Sequence, residues 1–146
     1  MEKIVPFLWF NDKAEEAARF YVSIFRNSRL VSAQPTIFEI EGRQFYAFNG
    51  GPHFSFTPAI SLFVSCETQA EVDELWEKLL SGSGKESRCG WLTDRYGLSW
   101  QIIPTTLGRL MQDPDPKRAA RVREAMLKMI KLDIAKLQAA YDGDED

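Results

Sequence analysis

The sequence predicts an α+β fold: two βαβββ units forming a curved mixed sheet around a central cleft, with helices added at the C-terminal end. Three observations carry this expectation. An apolar run leading into an amphipathic stretch, Pro6 to Tyr21, returns about fifty residues later at Ile60 to Trp76. Each copy continues into strand-like segments that end in an aromatic strand, Gln44 to Asn49 and Leu98 to Ile103. Beyond Pro104 the pattern turns helical, punctuated by Asp113-Pro-Asp-Pro116.

Residues 3–10 read as a buried strand, apolar on both faces. Asn11 and Asp12 are candidate caps for a helix over 13–25, whose inner face is Ala14, Ala17, Ala18, Tyr21 and Phe25. Strands are expected at 29–34, 36–41 and 44–49, with Glu41-Gly42 as a hairpin turn. Gly50-Gly51-Pro52 closes the first unit, and 50–57 forms a linker.

The second unit opens with a strand at 58–65. On it Ile60, Leu62 and Val64 face a helix, and Ala59, Ser61, Phe63 and Ser65 face the cleft, because strand side chains alternate. Its helix spans 69–80, capped by Thr68, with Val72, Leu75, Trp76 and Leu79 inward. A flexible Ser81-Gly-Ser-Gly84 loop precedes strands at 86–88, 91–94 and 98–103. Asp115 and Asp133 are expected to cap C-terminal helices bearing Val122, Ala125, Met126 and Met129, then Ile134, Leu137 and Tyr141. This apolar stripe must bury itself on the chain's own sheet or on a second subunit. The last residues, 142–146, are expected to fray. The expectation is one domain over 1–146, made of a first unit (1–50), a second unit (58–104) and C-terminal helices (105–141).

Composition narrows the function. With 146 residues, 45% hydrophobic and 12% aromatic, the chain can bury a real core. A net charge of −3 argues against nucleic-acid partners, which call for a basic surface. No apolar run approaches a membrane span, and the N-terminus lacks a signal-peptide pattern. The expected location is cytoplasmic, which suits two cysteines, Cys66 and Cys89, outside any CxxC spacing.

Specific motifs sharpen this. Pro6-Phe-Leu-Trp-Phe10, Ala14-Glu-Glu-Ala17, Phe20-Tyr21 and Asn49-Gly-Gly-Pro52 occur in the first half; Cys89-Gly-Trp91, Asp94, Tyr96-Gly97, Ser99-Trp-Gln101 and Asp113-Pro-Asp-Pro116 follow. On these residues the chain closely resembles the PhnB-like group, also labelled 3-demethylubiquinone-9 3-methyltransferase-like. That group lies within the glyoxalase/bleomycin resistance/dioxygenase, or vicinal oxygen chelate, superfamily. The resemblance implies the paired-unit fold and a homodimer, sometimes with exchanged units. It also implies that an active member would be a metal-dependent lyase, isomerase or dioxygenase, or the methyltransferase of the group label. Metal-using members place His, Gln or Glu at four strand positions. The matching positions here are Val5, Ala59, Gln101 and the Ala47–Asn49 region, where Asn49 is the polar choice.

Two aliphatic positions and two neutral amides make a poor divalent-metal site, so no metal and no cofactor are expected. A methyl donor usually lies against a Gly-rich turn between a parallel strand and a helix. Asn49-Gly-Gly-Pro52 leads into a linker instead, so no donor-binding motif is seen. The expected cleft lining is Phe7, Trp9, Asn49, Ser61, Phe63, Trp91, Ser99 and Gln101, with Phe56 closing one end. Such a lining suits a small aromatic or hydrophobic metabolite, stacked on rings and oriented by amides and hydroxyls. Aromatics at alternating strand positions are more often core than pocket, and Trp9 and Trp91 stand between the two. Trp100 is expected to face the helices, Cys89 and Cys66 to be packed thiols, His53 to be a loop residue, and Asp94 and Tyr96 to form a turn. The catalytic residues, if any, stay open.

Overall fold

The computed structural model describes residues 2–143; the rest of the expected frayed tail, from 144 on, lies outside them. The chain divides into two compact units, Met1–Phe56 and Thr57–Asp146, at the end of the expected linker.

The first unit runs β1 (Phe7–Phe10), α1 (Ala14–Ile24), β2 (Arg29–Ser32), β3 (Thr36–Ile40) and β4 (Arg43–Asn49). Its sheet has the order β1-β4-β3-β2, with β1 parallel to β4 and the other pairs antiparallel. Helix α1 buries Ala14, Ala17, Ala18 and Tyr21, as its 3.6-residue spacing predicts, and Phe25 follows at its end. The small alanines let the helix lie close to the sheet, where Tyr21 meets Phe38 and Phe38 stacks on Phe45 at 5.3 Å. Glu41 and Gly42 both adopt positive φ (49° and 79°), as a two-residue type I′ hairpin turn requires.

Two expectations fail here. The first strand starts at Phe7 rather than residue 3, so Val5 precedes the sheet. Neither Asn11 nor Asp12 caps α1: Lys13 holds the cap position without a side-chain bond, and the helix start is satisfied from a distant strand instead.

The second unit runs β5 (Ser61–Cys66), α2 (Gln69–Leu80), β6 (Lys85–Glu86), β7 (Trp91–Thr93), β8 (Ser99–Pro104), α3 (Thr105–Met111), α4 (Pro116–Leu127) and α5 (Ile134–Asp142). Its sheet order, β5-β8-β7-β6, with β5 parallel to β8, repeats that of the first unit. Thr68 caps α2 by accepting from the Glu71 N–H. Val72, Leu75, Trp76 and Leu79 pack inward with Leu92, Trp100 and Ile102. Trp100 is 1% exposed and donates its indole N–H to Asp94, whose other oxygen accepts from the Tyr96 and Leu98 N–H groups. The expected turn at Asp94 is thus also the anchor of the core tryptophan.

The strand expected at 58–65 begins only at Ser61. Thr57 and Pro58 set a turn in which Thr57 Oγ1 accepts from the Ala59 N–H. Ala59 therefore lies outside the sheet, and Ile60 is 67% exposed rather than packed on the helix. Asp115 and Asp133 cap α4 and α5 as expected. Helix α3 continues directly from Pro104, at the start of the segment expected to be helical. The apolar stripe is buried within this unit: Ile103, Leu107, Leu110, Val122, Leu132 and Leu137 form one cluster, with Met126, Met129 and Tyr141 packed against it. Gln69 ties this cluster to α2, donating to the Leu132 carbonyl and accepting from the Ile134 N–H. No helix among the described residues is long and apolar enough to cross a membrane.

Candidate ligand-binding faces

In each unit the helix covers one face of the sheet, and alternation sends every second side chain to the other, open face. In the first unit the register pairs Phe7 with Tyr46 and Trp9 with Phe48. Phe7 is 59% exposed, while Leu8 and Phe10 between and beyond are buried. The rings form a continuous array: Phe7 to Phe48 at 5.2 Å, Trp9 to Phe48 at 4.9 Å and Trp9 to Phe54 at 4.8 Å. The edge-to-face angles of 88° and 76° at Trp9 are favourable quadrupole arrangements.

The glycines of Asn49-Gly-Gly-Pro52 have a definite task. A Cβ on Gly50 would stand 2.3 Å from the Trp9 ring, and Trp9 Nε1 donates to the Gly51 carbonyl at 3.0 Å. The Gly50 N–H in turn donates to the Phe10 carbonyl. This motif is a backbone seat for the Trp9 indole.

Asn49 does not join this face. It pairs with buried Phe10 and shares the parity of Phe45 and Ala47, which points it toward α1. Its Oδ1 accepts from the Ala14 N–H at 2.8 Å, filling the place left by the missing local cap. A pocket of about 450 Å³ opens beside this helix start, lined among others by Glu15, Glu16, Gln34, Pro35 and Phe48; of the expected lining residues it contains Asn49 alone. Phe56 is likewise corrected. It packs edge-on against Phe10, on the helix side, and the linker ring that meets Trp9 is Phe54. Tyr46, Phe48 and Phe54 were missed, although strand alternation from Trp9's partners would have found the first two.

In the second unit five expected residues share one open face. The register lines up Phe63, Gln101 and Trp91 across β5, β8 and β7, and Ser61, Ser99 and Thr93 in the adjacent row. Phe63 is 60% exposed. Gln101 Nε2 donates to Ser61 Oγ at 2.9 Å. Ser99, 1% exposed, has a buried Oγ that meets no hydrogen-bond partner. An orphaned buried hydroxyl costs about 1–3 kcal/mol, so its presence is informative. Lys85 is the ionisable residue next along that row, beyond Thr93 on the edge strand.

The thiols lie elsewhere. Cys66 is fully buried, and burial, with help from Glu71 and Glu67, pushes its pKa up to about 12, which keeps it an unreactive thiol. Cys89 precedes β7 at positive φ (59°), its N–H donating to the Met129 carbonyl, so it stands outside the strand.

Comparison with known proteins agrees with this geometry. The family described as 3-demethylubiquinone-9 3-methyltransferase matches residues 2–103. A solved structure titled a putative 3-demethylubiquinone-9 3-methyltransferase, PhnB protein, from Bacillus cereus is 36% identical, with a TM-score of 0.64, over 70% of this chain and 99% of that one. Protein PA1353 from Pseudomonas aeruginosa (19% identity, TM-score 0.56, 71% and 98% coverage) shares the fold. So does a glyoxalase-related enzyme from Fulvimarina pelagi (17% identity, TM-score 0.50, 70% and 88% coverage). No curated protein matches the chain.

Proposed function

The chain belongs to the 3-demethylubiquinone-9 3-methyltransferase family, and we propose that it binds a small aromatic or hydrophobic molecule on its aromatic sheet faces without a catalytic metal. The observation that carries this reading is the row of Phe63, Gln101 and Trp91: an exposed ring and an indole flank a neutral amide, with no charge in the row. Exposed rings backed by a rigid sheet offer dispersion and stacking to a flat ligand, and the amide offers orientation. Phe7 and Trp9, with Phe48 and Phe54, offer a second aromatic surface of the same kind.

The residues present do not fit a metal. Val5 and Ala59 carry no donor atom, the Asn49 oxygen is occupied by the Ala14 N–H, and Gln101 offers a neutral amide oxygen alone. Among the described residues, no three His, Cys, Asp or Glu side chains gather in a metal-binding group. A methyl-donor site is not supported at Asn49-Gly-Gly-Pro52 either, because its glycines seat Trp9.

Exposure of Ile4, Ile60, Leu127 and Ile130, outside the aromatic faces, supports a homodimer, since apolar side chains of this size are commonly covered by a partner copy. The two free thiols suit a reducing, cytoplasmic setting.

The test is calorimetric titration of 4-methylanisole, a neutral aromatic probe, into chelator-treated protein. Saturable binding that weakens in Phe63→Ala supports the reading. Binding that requires added manganese, iron, nickel or zinc, or none at all, overturns it. Sedimentation equilibrium tests the dimer.

A further inference from the structure

We propose that the corner formed by Ser61, Ser99 and Gln101 receives an uncharged hydroxyl group, so that the ligand is a phenol or aryl alcohol with its ring against Phe63. The proposal rests on the aromatic-ligand reading and specifies the ligand's polar end.

Ser99 carries the inference. Its hydroxyl is buried, points to the open face by strand parity, and meets no partner. Buried polar atoms in native proteins almost always have a partner, and one without calls for a group to complete it. The neighbours show what that group is. Ser61 lies directly across from Ser99 on β5, and Gln101 follows two residues later on the same face of β8. The bond from Gln101 to Ser61 leaves the Ser61 proton and the Gln101 carbonyl oxygen for other use. With Ser99 the corner thus presents hydroxyl donors and oxygen acceptors together.

A ligand hydroxyl answers both: it accepts from a serine and donates to the Gln101 oxygen or to Ser99. An ether oxygen accepts only, leaving an acceptor unmet. A carboxylate brings a charge into a buried corner that holds none, and Lys85 lies beyond Thr93 in the row. A simple phenol, with a pKa near that of tyrosine, about 10, stays neutral at pH 7. Phe63, directly across from Gln101, supplies the exposed ring against which the ligand ring lies.

The experiment titrates the intact chain at pH 7 with three probes of one shape: p-cresol, 4-methylanisole and 4-methylbenzoate. The expected result is p-cresol binding roughly tenfold tighter than 4-methylanisole, the value of one well-made hydrogen bond, with 4-methylbenzoate weakest. Ser99→Ala should melt no lower than the parent, because it removes a hydroxyl that nothing satisfies, and should bring p-cresol down to the affinity of 4-methylanisole. Equal binding of the cresol and the anisole by the parent overturns this inference and leaves the aromatic reading standing. So does a preference for p-cresol that survives Ser99→Ala, or a variant that unfolds more readily, which would mean the hydroxyl is already engaged in the fold. Tightest binding of 4-methylbenzoate overturns it in favour of an anionic ligand. If none of the three binds, both readings fall.

Discussion

Asn49, at the end of β4, accepts a hydrogen bond from the backbone N–H of Ala14, the first residue of α1, at 2.8 Å. A strand residue thus does for the helix what an N-terminal cap does locally. The bond locks the helix start to the last strand of the same unit. Asn49→Ala should therefore cost about 0.5–2 kcal/mol, the usual range for a lost cap. Asn49→Asp keeps the acceptor and should cost far less. Urea unfolding measures both, and p-cresol affinity should not change in either variant.

Asp94 is the second long-lever residue. Its carboxylate accepts from the Tyr96 and Leu98 N–H groups and from the Trp100 indole, the last two in buried surroundings. Replacing it with alanine leaves these donors unmet, so Asp94→Ala should destabilise the chain by about 3 kcal/mol or more. Chemical denaturation followed by tryptophan fluorescence reads this directly.

Gly50 is required by Trp9. A methyl group there would stand 2.3 Å from the indole ring, so Gly50→Ala must displace the ring or the backbone. The expected outcome is an altered Trp9 indole environment together with a destabilisation of about 1–3 kcal/mol, the range for overpacking. Near-ultraviolet circular dichroism and thermal melting check the two parts.

Acid should loosen the C-terminal helices. The Tyr141 hydroxyl donates to Asp113, and with the Asp115 N–H and nearby Arg118 it holds the Asp113 carboxyl below its ordinary pKa. Asp73, at α2, is held low by Lys131 and Gln69. A depressed carboxylate pKa contributes stability that is present above the unfolded value and lost as pH falls through the folded value. Melting temperature should thus fall as pH drops below the ordinary aspartate range. Tyr141→Phe should flatten that dependence, and a profile unchanged by Tyr141→Phe would contradict the assignment.

What the sequence shows, and what it hides, follows from the range of each interaction. The inner face of α1 and the caps Thr68, Asp115 and Asp133 rest on neighbours within one or two turns, so spacing alone exposes them. The parity that puts Phe63, Gln101 and Trp91 on one face is equally local to each strand. Asn49 is different, because its partner lies 35 residues away and no local pattern announces it. The start of β5 moved because Thr57-Pro58 makes a turn that outweighs the apolar Ala59-Ile60 pair. Phe54 and Phe56 look alike in sequence, and only the path of the linker decides which ring meets Trp9. Pro104 ends the strand and also suits the position just before a helix, so the change of pattern there is legible and α3 follows at once.

The most direct test of the proposed metal-free aromatic binding uses the four tryptophans as reporters. Trp9 and Trp91 lie on open faces, whereas Trp76 and Trp100 are buried under the helices and bonded to Glu86 and Asp94. The indole nitrogen–proton NMR signals should be followed while p-cresol is added in the presence of a chelator. The account predicts that the Trp9 and Trp91 signals move and saturate while those of Trp76 and Trp100 stay in place. Signals that all stay fixed until a divalent metal is supplied would contradict it.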